Sequence, residues 1–194
     1  MSSTGERGAG GSSRAAFIEA TAALLRRQGY HGTGVNEIVA RSGAPKGSLY
    51  FHFPGGKEEL AVAAMAHSGE QLRHAISGIL APEIALGEAL GRLIDSLAFG
   101  LERSGYENGC PIATATLETA PGSEPVRTAA DAVFTSWIQV LAERFAASGL
   151  GREASSRRAT LVLAAIEGAL ILARARREVG PLTAVRDELV QLLG

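Results

Sequence analysis

The chain is poor in the features that announce most chemistries. One cysteine, Cys110, occurs in 194 residues, so neither an internal disulfide nor a thiolate metal cage can form, and a reducing compartment is expected. No charged leader followed by an apolar run opens the sequence, since residues 1–13 are rich in glycine and serine. The longest apolar stretch, Leu161 to Ala173, is interrupted by Glu167. It falls short of the roughly 20 residues a membrane helix needs, and a cytoplasmic protein with no membrane partner is expected. No Ser-His-Asp order and no carboxylate pair in a glycine-rich site is visible. His67 and His74 lie seven apart instead of three or four. Catalytic residues, cofactor and metal are therefore all expected to be none. No period-2 strand pattern and no internal repeat appears.

What is present is helical periodicity and uneven charge. Residues 1–57 carry seven Lys or Arg against three acids, while the remainder carries twelve against seventeen. A basic amino-terminal segment on an acidic body suggests that one end meets a polyanion. Only two lysines occur, Lys46 and Lys57.

Residues 1–12 read as a flexible tail. A first helix is expected from Arg14 to Gln28, with Phe17, Ile18, Leu24 and Leu25 at helical spacing and Gly29 ending it. Short helices follow at Val35–Ser42 and Pro45–His52, separated by Gly43. Proline is tolerated where the third begins, because a first-turn N–H has no partner to lose. Thr33 is a candidate cap or phosphate donor. A long fourth helix runs from Lys57 to Ile79. Segments 83–103, 110–119, 124–147 and 153–177, then a last one marked by Leu182, Val185, Leu189 and Leu192, complete about nine helices. Two short helices across a tight glycine turn have helix-turn-helix spacing.

Physical chemistry assigns roles within that motif. Ile38, Val39, Leu49 and Phe53 can pack the helix pair on Phe17, Leu24 and Leu25. Ala44, Gly47 and Ser48 keep the start of the third helix slim, so that it can approach base edges. Lys46 can reach a guanine acceptor or a phosphate. Tyr50 and His52 present polar tips suited to phosphate. Lys57, with the first N–H groups of the fourth helix, makes an anion site.

The run Gly34-Val35-Asn36-Glu37-Ile38-Val39-Ala40-Arg41-Ser42-Gly43-Ala44-Pro45-Lys46-Gly47-Ser48-Leu49-Tyr50-Phe51-His52-Phe53, then Lys57-Glu58-Glu59-Leu60, resembles the DNA-binding domain of the TetR family. The wording Ala44 to Tyr50 and the later Gly109-Cys110-Pro111-Ile112-Ala113 are similar to its lincomycin-resistance repressor branch. Three departures stand out. Gly34 replaces a frequent second threonine, Asn36 replaces an often basic residue, and Gly55-Gly56 adds one residue before Lys57.

The resemblance implies an all-α architecture: a three-helix helix-turn-helix domain (13–57) and a larger helical ligand-binding and dimerisation domain (58–194). It implies a ligand-responsive repressor, released from a palindromic double-stranded DNA operator by a small hydrophobic effector. The DNA-binding residues it designates are Thr33, Ala44, Pro45, Lys46, Gly47, Ser48, Tyr50, His52 and Lys57. For the effector pocket the candidates are Met65, Phe99, Cys110, Thr114, Leu117, Phe134, Trp137 and Leu141. For a homodimer interface they are Ala165, Ala169, Leu172, Val185 and Leu189, because residues 159–173 are apolar on nearly every face.

Overall fold

The computed structural model describes residues 6–81, 83–119 and 121–193. Among these residues the only regular elements are nine α-helices: α1 Glu6–Gly32, α2 Val35–Ser42, α3 Lys46–His52, α4 Gly56–Ile79, α5 Leu86–Arg103, α6 Pro111–Thr119, α7 Glu124–Ala147, α8 Arg152–Arg176 and α9 Gly180–Leu193. Helix number and order agree with the periodicity of the sequence. The largest difference is at the start. Residues 1–5 of the expected tail lie outside the described residues, whereas the backbone from Glu6 onward is already helical.

Contacts divide the chain into two compact units. The first comprises 1–68 with 111–130; the second comprises 69–110 with 131–194. The first is therefore discontinuous in sequence, and α6 with the opening of α7 belongs to it.

In the first unit Phe17, Ile18, Ala20 and Leu24 of α1 meet Ile38 of α2, Leu49 of α3, Phe53 just after α3 and Leu60 of α4 in one apolar cluster. Phe17, Ile38, Leu49 and Leu60 are fully buried, each worth about 1.5–3 kcal/mol relative to exposure. Helix α6 packs on α1. There α1 breaks at Gly29, whose φ of 73° and ψ of −173° are open in practice only to glycine. The Glu118 carboxylate lies against this break and accepts the His31 backbone N–H at 2.7 Å. The Glu118 carbonyl is 3.3 Å from His31 Nε2. Ser123, at the start of α7, donates its hydroxyl to Glu58 of α4 at 2.6 Å and accepts the Val126 N–H.

The second unit is built on α5 packed against α9 and on α9 against α8. The α5 stripe Leu86, Leu90, Leu93, Ile94 and Leu101 is buried. Trp137 is enclosed, and its indole N–H donates to the Gly69 carbonyl at 2.9 Å. The loop after α5 is tied to α8. Arg174 donates to the Glu107 carbonyl at 3.0 Å and Arg177 to the Gly105 carbonyl at 3.3 Å. Among the described residues, no helix is long and apolar enough to cross a membrane.

Candidate nucleic-acid interface

The turn between α2 and α3 is made by a residue that must go left-handed. Gly43 caps α2 with φ 66°, a region costly to any residue carrying a Cβ. Ser42 stitches the same turn, donating to the Val39 carbonyl and accepting the Ala44 N–H at 3.2 Å. Pro45, extended at φ −61° and ψ 136°, caps α3. The helix then runs for seven residues. Leu49 is buried in its middle and Phe53 just after its end, so the i, i+4 pair anchors one face and turns the other outward.

That outward face holds most of the expected DNA-binding residues. Pro45, Lys46 and Gly47 are exposed, Tyr50 is 52% exposed, and Ala44, Ser48 and His52 are half-buried. The Lys46 ammonium donates to Asn36 Oδ1 of α2 at 3.1 Å. The Ser48 hydroxyl donates to the Pro45 carbonyl at 2.7 Å. Lys57 stands apart from α3. Its ammonium lies 4.3 Å from the centre of the Tyr30 ring. Partial burial lowers its pKa, which the Glu118 charge opposes. Burial, then the nearby Glu58, pushes the Tyr30 phenol up.

Two expectations about this region need correction. Thr33 does not cap α2: the cap is Gly34, with no side-chain bond. Thr33 is 1% exposed, and its hydroxyl donates to the Gly29 carbonyl at 2.6 Å, satisfying the broken end of α1 instead of facing outward. The start of α4 is also not an open anion site. Glu59 accepts the Gly55 N–H at 2.8 Å, and Glu58 and Glu59 both occupy the first turn, so the chain's own carboxylates already answer the helix dipole.

One residue the sequence reading passed over is Phe51, whose ring is 80% exposed. The signal was available. With Leu49 and Phe53 both facing inward, the residue between them must face out.

The expected effector-pocket residues divide between the units. Met65, Thr114 and Leu117 fall in the first; Phe99, Cys110, Phe134, Trp137 and Leu141 fall in the second. Met65, Trp137 and Leu141 are buried, and Phe134 meets Trp137 edge-to-face at 5.6 Å. Phe99 and Leu117 are corrected: at 61% and 75% exposed they face outward on the protomer, whereas an enclosed pocket would need them buried. A half-open cleft of about 410 Å³ lies elsewhere, between α7 and α8, lined by Gln139, Ala142, Glu143, Ala146, Arg152 and Ser155.

The expected dimer residues also separate. Leu172 is 50% exposed, and Ala165 and Val185 are half-buried. Ala169 and Leu189 are corrected. Both are buried within the protomer and belong to the inward stripes of their helices. The outward apolar residues of α8 and α9 are instead Leu161, Ile171, Leu172, Val190 and Leu192.

Comparison with known proteins places this geometry. Residues 17–64 match the family of bacterial regulatory proteins, tetR family, and residues 87–188 match the carboxy-terminal domain of the LmrA/YxaF-like transcriptional regulators. The HTH-type transcriptional regulator YxaF of Bacillus subtilis is 36% identical over 183 residues, covering 94% of this chain and 96% of the relative. LmrA of the same organism is 33% identical, covering 94% and 97%. Among solved structures, a TetR transcriptional regulator from Legionella pneumophila superposes with a TM-score of 0.82 at 21% identity, covering 100% of this chain and 99% of that one. One from Chloroflexus aurantiacus gives 0.77 at 28% identity, covering 94% of each. The chain thus belongs to the TetR family of DNA-binding transcriptional regulators, with an LmrA/YxaF-like carboxy-terminal domain, and is not an enzyme.

Proposed function

We propose that this regulator is a homodimeric, cytoplasmic repressor that holds a palindromic operator until a small hydrophobic effector binds its larger domain. The observation that carries the reading is the outward face of α3. Pro45, Lys46, Gly47 and Tyr50 stand exposed on a short helix, while Leu49 and Phe53 root it in the core. Two such helices related by a twofold axis reach successive major grooves when they stand roughly 34–36 Å apart. The exposed apolar residues Leu161, Ile171, Leu172 and Leu192 supply a surface that a second copy would cover. Lys57 serves the phosphate backbone and Lys46 the bases. One relative, from Mycobacterium sp. GP1, is named as the HTH-type transcriptional repressor DhaR, at 30% identity over 123 residues.

Effector control requires that the ligand prefer the conformation that does not bind DNA. Helix α4 is the natural carrier, because it begins at the residues flanking Lys57 and continues into the second compact unit.

The test is selection of binding sites from a random duplex pool by the full-length protein, followed by salt titration of the enriched site. An inverted repeat is expected. Lys57→Ala should weaken binding to all sequences and reduce the salt slope by about 1, whereas Lys46→Ala should change which sequence is enriched. Joint replacement of Leu161 and Ile171 by glutamate should yield monomers in sedimentation and abolish operator binding. A pool with no enriched sequence would refute the regulator reading at its root.

A further inference from the structure

Beyond the Tyr50 phenol and the Lys46 ammonium the outward face of α3 offers few hydrogen-bond donors, and its most exposed ring, that of Phe51, is purely hydrocarbon. The Ser48 hydroxyl proton is committed to the Pro45 carbonyl. One N–H of the Lys46 ammonium is engaged by Asn36. Gly47 has open space where a side chain would stand. Phe51 is 80% exposed, and its ring meets that of His52 edge-to-face at 5.1 Å. An apolar ring held in water at the tip of a DNA-reading helix has little to gain from the anionic backbone.

In the major groove one base carries an apolar group, the C5-methyl of thymine, and aromatic side chains are among the groups that contact it. Resting on the operator-binding reading above, we infer that Phe51 is a specificity-determining residue that reads a thymine methyl in each half-site. The surrounding charge fits a duplex occupant: residues 1–57 hold seven basic side chains against three acidic ones. Lys46, with donors left over, supplies the polar contact on the same face. Readout is then divided, with methyl contact from the ring and one acceptor contact from the ammonium.

The experiment uses the full-length protein and its selected operator, with each thymine replaced in turn, symmetrically in both half-sites, by uracil. This removes the methyl and leaves the pairing edge unchanged. At one symmetric position the wild type should lose roughly fourfold in affinity per half-site, the effect of burying one methyl-sized group. Phe51→Ala should bind the thymine and uracil duplexes equally, while Phe51→Leu should keep part of the discrimination. Because Phe51 is mostly outside the core, both variants should keep the wild-type melting temperature. Three results overturn the inference: a wild type indifferent to every replacement, a Phe51→Ala variant that still discriminates, or one that loses affinity equally for operator and unrelated DNA. Failure of the selection itself is a different result: it removes the operator-binding reading and this inference with it.

Discussion

Gly29→Ala tests whether the junction of α1 and α6 holds the reading unit together. Two costs add at this position. The backbone at φ 73° and ψ −173° lies in a region that side-chain-bearing residues occupy at about 1–3 kcal/mol. A Cβ built there would stand 2.1 Å from Glu118 Oε1 and 3.0 Å from Thr114 Cγ2. The carboxylate can swing away, but only by giving up the His31 N–H at 2.7 Å, a charge-assisted bond worth about 1.5 kcal/mol at a partly exposed site. The variant should therefore lose about 3 kcal/mol in urea unfolding followed by circular dichroism at fixed protein concentration. The same change in a Glu118→Ala background should cost about 1.5 kcal/mol less than it does in the wild type, because the clash and the bond are already gone. Equal costs in the two backgrounds would show that Glu118 does not press on the break. A wild-type stability for Gly29→Ala would refute the conformational argument as well.

Two further outcomes follow from the second unit. Burial pushes the Glu167 carboxyl above its ordinary value of 4.5, which a hydrogen bond from Cys110 partly opposes. The folded chain therefore keeps this proton at a pH where the unfolded chain has lost it, and stability falls as pH rises from about 4.5 through the raised folded value. Glu167→Gln should remove that dependence and unfold at higher temperature than wild type at neutral pH, the gap closing toward pH 4; a constant gap across this range would show that Glu167 is not the source. Trp137→Phe leaves the Gly69 carbonyl without its indole donor and should cost about 1–3 kcal/mol in urea unfolding. A cost below 0.5 kcal/mol, or about half the lower bound, would mean the bond is replaced by solvent.

Elements bounded by backbone chemistry were legible from the sequence. Gly29, Gly43 and Pro45 each impose a geometry, and the structure breaks, turns and restarts the chain at those residues. Facing directions were legible only where apolar residues alternate with polar ones. In α8 nearly every residue from Thr160 to Ala173 is apolar or small, so the helical period carries no phase. Ala169 and Leu172 look alike in sequence, yet one is buried and the other half exposed. The direction of a hydroxyl is equally hidden: Thr33 can cap forward or bond backward, and the carbonyl freed at Gly29 decides it. The Glu118–His31 contact spans 87 positions, and no local pattern announces it.

The placement of α6 limits how this regulator can be taken apart. Ile112 and Ala115 are buried in the same compact unit as the helix-turn-helix. A fragment ending after α4 would thus expose the flank of α1 to water and leave the His31 amide without its acceptor. Anyone grafting this DNA-reading head onto a foreign sensor must transplant two separated stretches of chain, because the genetic cut nearest the motif runs through the middle of a folded body.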